Sequence, residues 1–317
     1  MAARAVVFAY HDVGVRCLSV LLAHRVDVAL VVTHRDDPRE TIWFESVERR
    51  AREHGIETIA PDAADLPALA PRLSALAPDF LFSFYYRHML PVPILACARR
   101  GAFNMHGSLL PKYRGRVPVN WAILRGERET GATLHEMAAK PDAGRIVDQM
   151  AVPILPDDRA IDVFRKVTVA AEIVLDRALP ALLEGSARLV PQDLAKGSYF
   201  GGRKPEDGRI DWSQDSRAIH DLVRAVAPPY PGAFTTIGAS TLRVLRTRVL
   251  DPRPSPPPRG TEYAAPLLFA ENDRILARTI DGATLLILEA ELDGQPISAS
   301  NFLKRYGREG VRPGDPQ

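Results

Sequence analysis

Three polar side chains that can handle protons lie within one stretch of the chain rich in glycine and proline. Asn104 and His106 stand two residues apart at the end of an apolar run, and Asp142 follows further along. Residues two apart on a strand point to the same face of a sheet. Glycine and proline hold the backbone in loops and leave room for a ligand. We therefore interpret Asn104, His106 and Asp142 as candidate catalytic residues, with Asp142 arriving through space.

The chemistry that suits these residue types is acyl transfer to an amine, which requires no covalent nucleophile. An asparagine amide can donate to the developing oxyanion, worth roughly 10²–10³ in rate. An imidazole can relay the proton of the attacking amine, worth roughly 10²–10⁴. The charge of Asp142 would raise the pKa of His106. On the local sequence alone, a strand end whose polar groups are satisfied internally remains the alternative.

Longer motifs surround these residues. Residues 104–116 read Asn-Met-His-Gly-Ser-Leu-Leu-Pro-Lys-Tyr-Arg-Gly-Arg, residues 129–135 read Glu-Thr-Gly-Ala-Thr-Leu-His, and Asp142 begins Asp-Ala-Gly. With them the chain resembles the 10-formyltetrahydrofolate-dependent formyltransferases. The likeness also takes in residues 7–12, 82–88 and 224–234, so it spans nearly the whole chain. The Tyr-Tyr-Arg and Lys-Tyr-Arg-Gly-Arg spellings resemble the amino-sugar branch, and within it the formyltransferase half of the bifunctional polymyxin-resistance enzymes.

This resemblance implies an activity. A formyl group would pass from 10-formyltetrahydrofolate to the 4-amine of a UDP-amino sugar, with UDP-4-amino-4-deoxy-L-arabinose of lipid A modification as the expected acceptor. His106 would relay the proton, Asn104 would stabilise the oxyanion, and Asp142 would raise the His106 pKa. The implied folate contacts are His88, Met89, Leu90, Arg116, Ala138, Ala139, Lys140, Pro141 and Asp142.

Composition excludes several other classes of protein. The 317 residues are 46% hydrophobic, and the net charge is only +2, so nothing demands nucleic acid as a partner. Cys17 and Cys97 are too few for a disulfide framework and lack metal spacing, which favours a reducing compartment. We recognise neither a signal peptide nor a membrane-spanning apolar run, and therefore expect a cytoplasmic enzyme without membrane insertion.

The pattern of apolar runs predicts the fold class. Short buried strands such as Ala5–Ala9 and Phe80–Phe84 alternate with helical segments, for which we expect helices over 42–54 and 92–100. This alternation indicates an α/β domain with a Rossmann-like open, mainly parallel sheet. Residues 10–14 after the first strand lack the G-x-G-x-x-G fingerprint, which disfavours NAD as a cofactor.

The second half of the chain predicts a different architecture. After a glycine-rich and charged segment at 197–208, several short apolar runs follow one another without helices between them. Such a series favours a small OB-like β-barrel. We therefore expect a formyltransferase catalytic domain over 1–200, the barrel domain over 201–310 and a tail over 311–317.

Three alternatives to sugar formylation are a metal site, the formylation of methionyl-tRNA, and the binding or hydrolysis of formyl-folate alone. A metal site built from His11, His106, His135 and Asp142 is disfavoured because the spacing matches no zinc signature, and His135 is interpreted as a structural histidine. Formylation of methionyl-tRNA is the weaker reading because residues 205–317 hold 14 basic against 15 acidic side chains, whereas a polyanion calls for a basic excess. A protein that only binds or hydrolyses formyl-folate remains an alternative.

Arg203 and Lys204 form a cation pair within the glycine-flanked segment. No glycine-rich phosphate loop is present in the chain to hold the diphosphate of a sugar nucleotide, so side-chain cations would have to do so. Ligand clefts are common at domain junctions, which is where this segment is expected to lie. We predict that Arg203 and Lys204 bind the sugar nucleotide, with a merely solvated pair as the alternative.

Overall fold

The computed structural model describes residues 2–38, 40–250 and 265–314. They pack into two compact units, each made from separate parts of the chain. The first comprises the described residues of Met1–Pro118, Glu129–Pro153 and Phe164–Gly202, and the second those of Val119–Arg128, Ile154–Val163 and Arg203–Gln317. The predicted domain boundary between residues 200 and 201 stays a prediction, and so does the tail at 311–317. Residues 315–317 lie outside the described residues.

A seven-stranded sheet forms the centre of the first unit. Its strands are β1 Arg4–Ala9, β2 Asp27–Val32, β3 Thr58–Ile59, β4 Phe80–Phe84, β5 Gly101–His106, β7 Glu129–Glu136 and β8 Ile146–Pro153. Their order is β3-β2-β1-β4-β5-β7-β8; β1 to β5 pair in parallel, and β7 and β8 are antiparallel. A separate two-stranded parallel ribbon joins β6 Arg114–Gly115 to β9 Tyr199–Phe200. The predicted Rossmann-like, mainly parallel sheet is confirmed.

The central strands are buried on both faces, as their apolar sequences require. In β1 the residues from Ala5 to Ala9 are fully buried, and β4 is buried along its whole length. Continuous burial of this kind is typical of parallel strands covered by helices on both faces. The rings of Phe80, Phe82 and Phe103 pack against one another with centroids 5.8–6.2 Å apart. This packing fixes β4 against β5, the strand that ends in His106.

Two of the helices in the first unit are shorter than the sequence pattern suggests. The helices are α1 His11–Ala23, α2 Val47–Glu53, α3 Ala70–Leu76, α4 Val92–Leu95, α5 Pro118–Leu124, α6 Ala160–Glu184, α7 Ser216–Val226 and α8 Ala299–Tyr306. The helix predicted over 42–54 begins only at Val47, because the Ser46 side chain caps it by accepting from the Arg49 amide. The helix predicted over 92–100 ends at Leu95, because the Arg99 and Arg100 amides bond to the carbonyls of Pro78 and Asp79 instead.

The strand order reverses between β1 and β4. From β1 the chain builds outward to β2 and β3, and then returns to place β4 and β5 on the other side of β1. In open α/β sheets, ligands bind beyond the carboxyl ends of the strands at such a switch point. The segments that follow Ala9, Phe84 and His106 all leave this edge of the sheet.

The second unit is built on an antiparallel sheet curled as a half-barrel. Its strands are β10 Ala233–Ile237, β11 Ser240–Val249, β12 Leu267–Glu271, β13 Arg274–Arg278, β14 Thr284–Leu292 and β15 Gln295–Pro296. The order is β10-β11-β14-β13-β12, with β15 paired to β14. The helices α7 and α8 bury Val223 and Phe302 in its core. The predicted class of a small β domain after the parallel one is confirmed.

A buried ion pair fixes α7 within the second unit. Arg224 and Asp221 are both nearly inaccessible, and the Arg224 Nε lies 2.7 Å from Asp221 Oδ1. The same guanidinium donates to the carbonyl of Asp158, so the 154–163 segment is attached to the helix. Within the described residues, the search for a helix long and apolar enough to cross a membrane finds none.

Candidate functional site

The strand β5 carries Asn104 and His106 to the carboxyl edge of the sheet. Asn104 lies between Ser83 of β4 and His135 of β7 in the strand register, and His106 lies opposite Thr133. The His106 residue is only 6% exposed. The two side chains are therefore held on a central strand with neighbours on both sides, which leaves them little freedom.

The hydrogen bonds of His106 fix which ring nitrogen is available for chemistry. Its Nε2 lies 2.8 Å from the carbonyl oxygen of Tyr113. A carbonyl only accepts, so Nε2 carries the hydrogen and Nδ1 is the free base in the neutral ring. Nδ1 lies 3.7 Å from Oδ1 of Asp142. A proton taken up by His106 is therefore taken up on the side that Asp142 faces.

Asp142 reaches this position on the loop that joins β7 to β8. Its backbone is in the left-handed region, with φ of 51°, which aspartate tolerates better than most residues. The Gly115 amide donates to its Oδ2 at 2.8 Å, and the Gln192 side chain donates to its carbonyl at 3.0 Å. Burial alone would raise the Asp142 pKa, but the charge of His106, the hydrogen bond and charge of His135 and the Gly115 hydrogen bond hold the pKa well below its usual range.

Burial decides the protonation state of His106. Removal from water lowers the pKa of the imidazole, and this outweighs both Asp142 and the Tyr113 carbonyl, which raise it. The influence of Asp142 therefore has the expected sign, but the pKa of His106 ends below its ordinary value. An imidazole whose pKa lies below its ordinary value is neutral at pH 7 and able to accept a proton.

His135 belongs to the same cluster, although the sequence suggested a purely structural role. It is 1% exposed, and its Nδ1 donates to the Glu136 carbonyl at 2.9 Å. Its Nε2 accepts from the Asn104 amide at 3.2 Å and lies 3.5 Å from Asp142 Oδ1. Because an amide NH₂ has two hydrogens, Asn104 keeps the second one for another acceptor. Only the antiparallel register of β5 and β7 reveals this role.

The loops around the site are held in conformations that cost free energy. Tyr85, Tyr113 and Val117 all have positive φ, between 47° and 58°, each at a cost of about 1–3 kcal/mol. The β6–β9 ribbon imposes part of this strain. Gly115, with φ of 99°, passes so close to β9 that a Cβ there would lie 2.1 Å from the Phe200 carbonyl oxygen. Strain of this kind clusters at binding and catalytic sites.

The residues expected to contact folate lie on two loops of the first unit and at the end of β6. After β4, Met89 is 61% exposed and Leu90 is buried, with His88 between these extremes. In the Asp142 loop, three residues are exposed and Pro141 is half-buried; the three are Ala138, Ala139 and Lys140. Arg116 is exposed at the end of β6, beside Gly202. The structure thus places all of them on the described first unit, as surface or partly covered residues.

Arg203 and Lys204 belong to the second unit. The Arg203 guanidinium lies 5.0 Å from the centre of the Trp121 ring and donates to the Asp207 carbonyl. Its Nε is buried, with no hydrogen-bond partner among the residues that the structure describes. Lys204 is exposed, and its backbone amide donates to the Asp207 carboxylate. The two cations therefore differ in burial, because Arg203 is partly buried and Lys204 is exposed.

A second polar cluster lies beyond β2 and β4 and was not predicted. The Arg87 amide donates to His34 Nε2 at 2.9 Å, and the Arg87 guanidinium binds both oxygens of Glu40. The His34 ring stacks on Tyr86, with centroids 4.1 Å apart. Burial, followed by the charges of His88 and Arg87, lowers the pKa of His34 to about 4. This neutral ring ties the loop after β2 to the segment that leads into His88.

Within the described residues, no group of three or more metal-ligating side chains is close enough together to hold a metal ion. The candidate site consists instead of an amide, two imidazoles and a carboxylate, whose hydrogen-bond partners are known. This donor set can move a proton and polarise a carbonyl oxygen.

Comparison with protein families identifies the class of this chain. A formyl transferase family model matches residues 17–179, more than half of the chain, and a formyl transferase C-terminal domain model matches residues 203–307. The chain belongs to the formyl transferase family. It is a formyltransferase enzyme.

Solved structures share the fold at low sequence identity. The N-formyltransferase from Helicobacter canadensis, in complex with folinic acid and dTDP-3-aminofucose, is 20% identical, with TM-score 0.72, over 94% of this chain and 100% of that one. WlaRD, a sugar 3N-formyl transferase, is 19% identical, with TM-score 0.69, over 90% and 97%. Glycinamide ribonucleotide transformylase 1 from Symbiobacterium toebii is 26% identical, with TM-score 0.52, over 61% and 95%.

The geometry predicts the titration of His106. In NMR spectra of the ¹⁵N-labelled protein, we expect its imidazole to be neutral at pH 7 with the proton on Nε2, and its pKa to lie below the ordinary value of a histidine. The contacts at Tyr113 and Asp142 set the tautomer, and burial sets the direction of the pKa shift. A His106 ring that is charged at pH 7, or that carries its proton on Nδ1, would contradict this geometry.

Proposed function

We propose that the enzyme transfers the formyl group of 10-formyltetrahydrofolate to the amine of a nucleotide-linked sugar. The observation that carries this proposal is the pairing of a neutral His106 Nδ1, facing Asp142, with an Asn104 amide that has one hydrogen free. Two structures of the same fold support the acceptor class, because they were determined with a folate compound and a dTDP-aminosugar or dTDP.

Each residue has a defined part in the proposed reaction. The sugar amine attacks the formyl carbon, and a new C–N bond forms while the carbonyl oxygen becomes an oxyanion. The free hydrogen of the Asn104 amide stabilises that oxyanion. His106 takes the amine proton at Nδ1, and the resulting imidazolium faces the Asp142 carboxylate. When the intermediate collapses, the bond to the folate N10 breaks, and N10 recovers the proton.

The pKa shifts suit this sequence of events. A buried base with a lowered pKa is unprotonated before the amine arrives. A carboxylate with a pKa well below its usual range stays charged while the proton moves. The Asp142 carboxylate therefore meets a positive charge on His106 only in the intermediate. It stabilises that intermediate and not the bound substrate. The donor would be held by the residues predicted from the family likeness, on the His88–Leu90 segment, the Asp142 loop and Arg116.

We further propose UDP-4-amino-4-deoxy-L-arabinose as the acceptor, which would connect the enzyme to lipid A modification and polymyxin resistance. The spelling of residues 85–88 and 112–116 supports this choice. A formyl-folate hydrolase would use the same proton-handling groups with water as the nucleophile. The balanced charge of residues 205–317 gives a polyanionic tRNA acceptor little support.

A donor-consumption assay separates these functions. We expect the purified enzyme to release tetrahydrofolate from 10-formyltetrahydrofolate only when UDP-4-amino-4-deoxy-L-arabinose is present, with formylated sugar nucleotide formed in equal amount. His106→Ala should lose at least about 10² in rate at unchanged protein folding. Equal donor consumption without the sugar would establish hydrolysis instead. A full rate with a different 4-amino or 3-amino sugar nucleotide, and none with this one, would refute the proposed acceptor.

Arg203 and Lys204 are proposed to recognise the diphosphate of the acceptor. The half-buried guanidinium of Arg203, with its unpaired Nε, supports this proposal better than the exposed Lys204 does. The double variant Arg203→Met/Lys204→Met should raise the Michaelis constant for the sugar nucleotide about tenfold or more and leave that for formyl-folate unchanged. Arg217→Met/Lys304→Met removes the same charge from exposed positions and is the matched control. Equal effects on both substrates, or none, would refute the assignment.

A further inference from the structure

Arg114 is a buried arginine that the proposed mechanism does not use. The residue is only 8% exposed, and its Nε and Nη1 are both buried without a hydrogen-bond partner among the residues that the structure describes. The other deeply buried arginine in the described chain, Arg224, is satisfied by Asp221 and by the carbonyl of Asp158. Within one molecule, therefore, one buried guanidinium is paired with a carboxylate, whereas Nε and Nη1 of the other have no hydrogen-bond partner among the described residues.

An unpaired buried charge is among the most costly features that a folded protein can hold. Removing a cation from water carries a penalty of several kcal/mol, which only a counter-charge or good hydrogen bonds recover. Arginine cannot escape this cost by losing its proton. Native structures pair nearly all such groups, and the exceptions mark positions kept for function. A negatively charged partner would offset the desolvation penalty of the Arg114 guanidinium.

The backbone of Arg114 is part of the segment that holds the catalytic pair. The carbonyl of the preceding Tyr113 accepts from His106, and the amide of the following Gly115 donates to Asp142. The Arg114 backbone amide itself donates to the carbonyl oxygen of Ser198, the residue before β9. A residue so fixed brings its side chain to the same part of the unit as the site. A ligand bound by Arg114 is therefore coupled to the positions of His106 and Asp142.

We propose that Arg114 binds an oxyanion of a substrate, either a phosphate or a carboxylate. The planar guanidinium presents its N–H groups as a fork that matches both of these groups bidentately. The inference rests on the proposed function in one respect, since the two substrates supply the candidate anions. The sugar nucleotide carries a diphosphate, and the folate carries glutamate carboxylates. Arg114 differs from the exposed Arg116, which a ligand can reach without desolvating a buried group.

The melting temperature of the ligand-free enzyme gives the first test. Most substitutions of buried residues lower it, whereas we expect this one to raise it. Arg114→Met keeps most of the side-chain volume and removes the unpaired charge, so we expect the melting temperature to rise. Arg224→Met is the matched control, and it should lower the melting temperature because it leaves Asp221 buried and unpaired. A fall for Arg114→Met as large as the fall for Arg224→Met would show that the guanidinium is a structural group, and would overturn the proposal.

Equilibrium binding gives the second test and identifies the anion. The probes are inorganic pyrophosphate, UDP and 5-formyltetrahydrofolate, none of which requires turnover. Arg114→Met should weaken binding of pyrophosphate and UDP, or of the folate, by at least about tenfold, and Arg114→Lys should restore part of the loss. Loss for the first two probes assigns the diphosphate, and loss for the third assigns the carboxylate. Arg72→Met, at an exposed position paired with Glu57, should bind all three normally.

The two proposals can fail separately. If the wild-type enzyme binds these probes but transfers no formyl group, the proposed function fails while the Arg114 site can still be judged from the binding data. If every probe binds Arg114→Met and the wild type with affinities within twofold of each other, Arg114 binds no substrate anion, whatever the activity of the enzyme.

Discussion

The arrangement of this enzyme depends on one partly buried carboxylate. Asp142 lies 3.7 Å from His106 and 3.5 Å from His135, and the Gly115 amide donates to its second oxygen. Each contact comes from a different element, namely β5, β7 and the β6–β9 ribbon. The left-handed backbone at Asp142 and the strained turn at Tyr113 exist because these elements must meet at one carboxylate. The sheet supplies the imidazoles, and the loops supply the charge and its hydrogen bonds.

Burial and charge act against each other on His106, and the balance suits a base. Desolvation lowers the imidazole pKa further than Asp142 raises it, so the ring is neutral in the resting enzyme. The carboxylate then has its main effect after a proton has been taken up, when it faces a cation in a site with little water. In the proposed reaction this places electrostatic stabilisation at the intermediate and not at the bound substrate. The same low exposure makes the unpaired Arg114 a strong candidate for ligand binding.

Some of this site could be read from the sequence, and some could not. The strands β1 and β4 were predictable from continuous apolar runs, and Asn104 and His106 share a face because they are two residues apart. His135 was interpreted as a structural histidine because its contact with Asn104 arises from antiparallel pairing of β5 with β7, which periodicity does not encode. The helix expected over 42–54 failed because Ser46 caps a shorter one. The unpaired Nε and Nη1 of Arg114 depend on burial, which the basic run of residues 112–116 does not encode.

The central claim is that Asp142 acts through His106, and the pH dependence of kcat/KM in the Asp142→Asn variant tests it most directly. His106 works as a base in its neutral form, so activity is present above its pKa and falls as the pH drops through that value. Loss of the carboxylate removes a raising influence on this pKa. We therefore expect a slower enzyme whose acid limb lies at lower pH than that of the wild type. A slowed variant whose acid limb stays in place, or moves to higher pH, would contradict it.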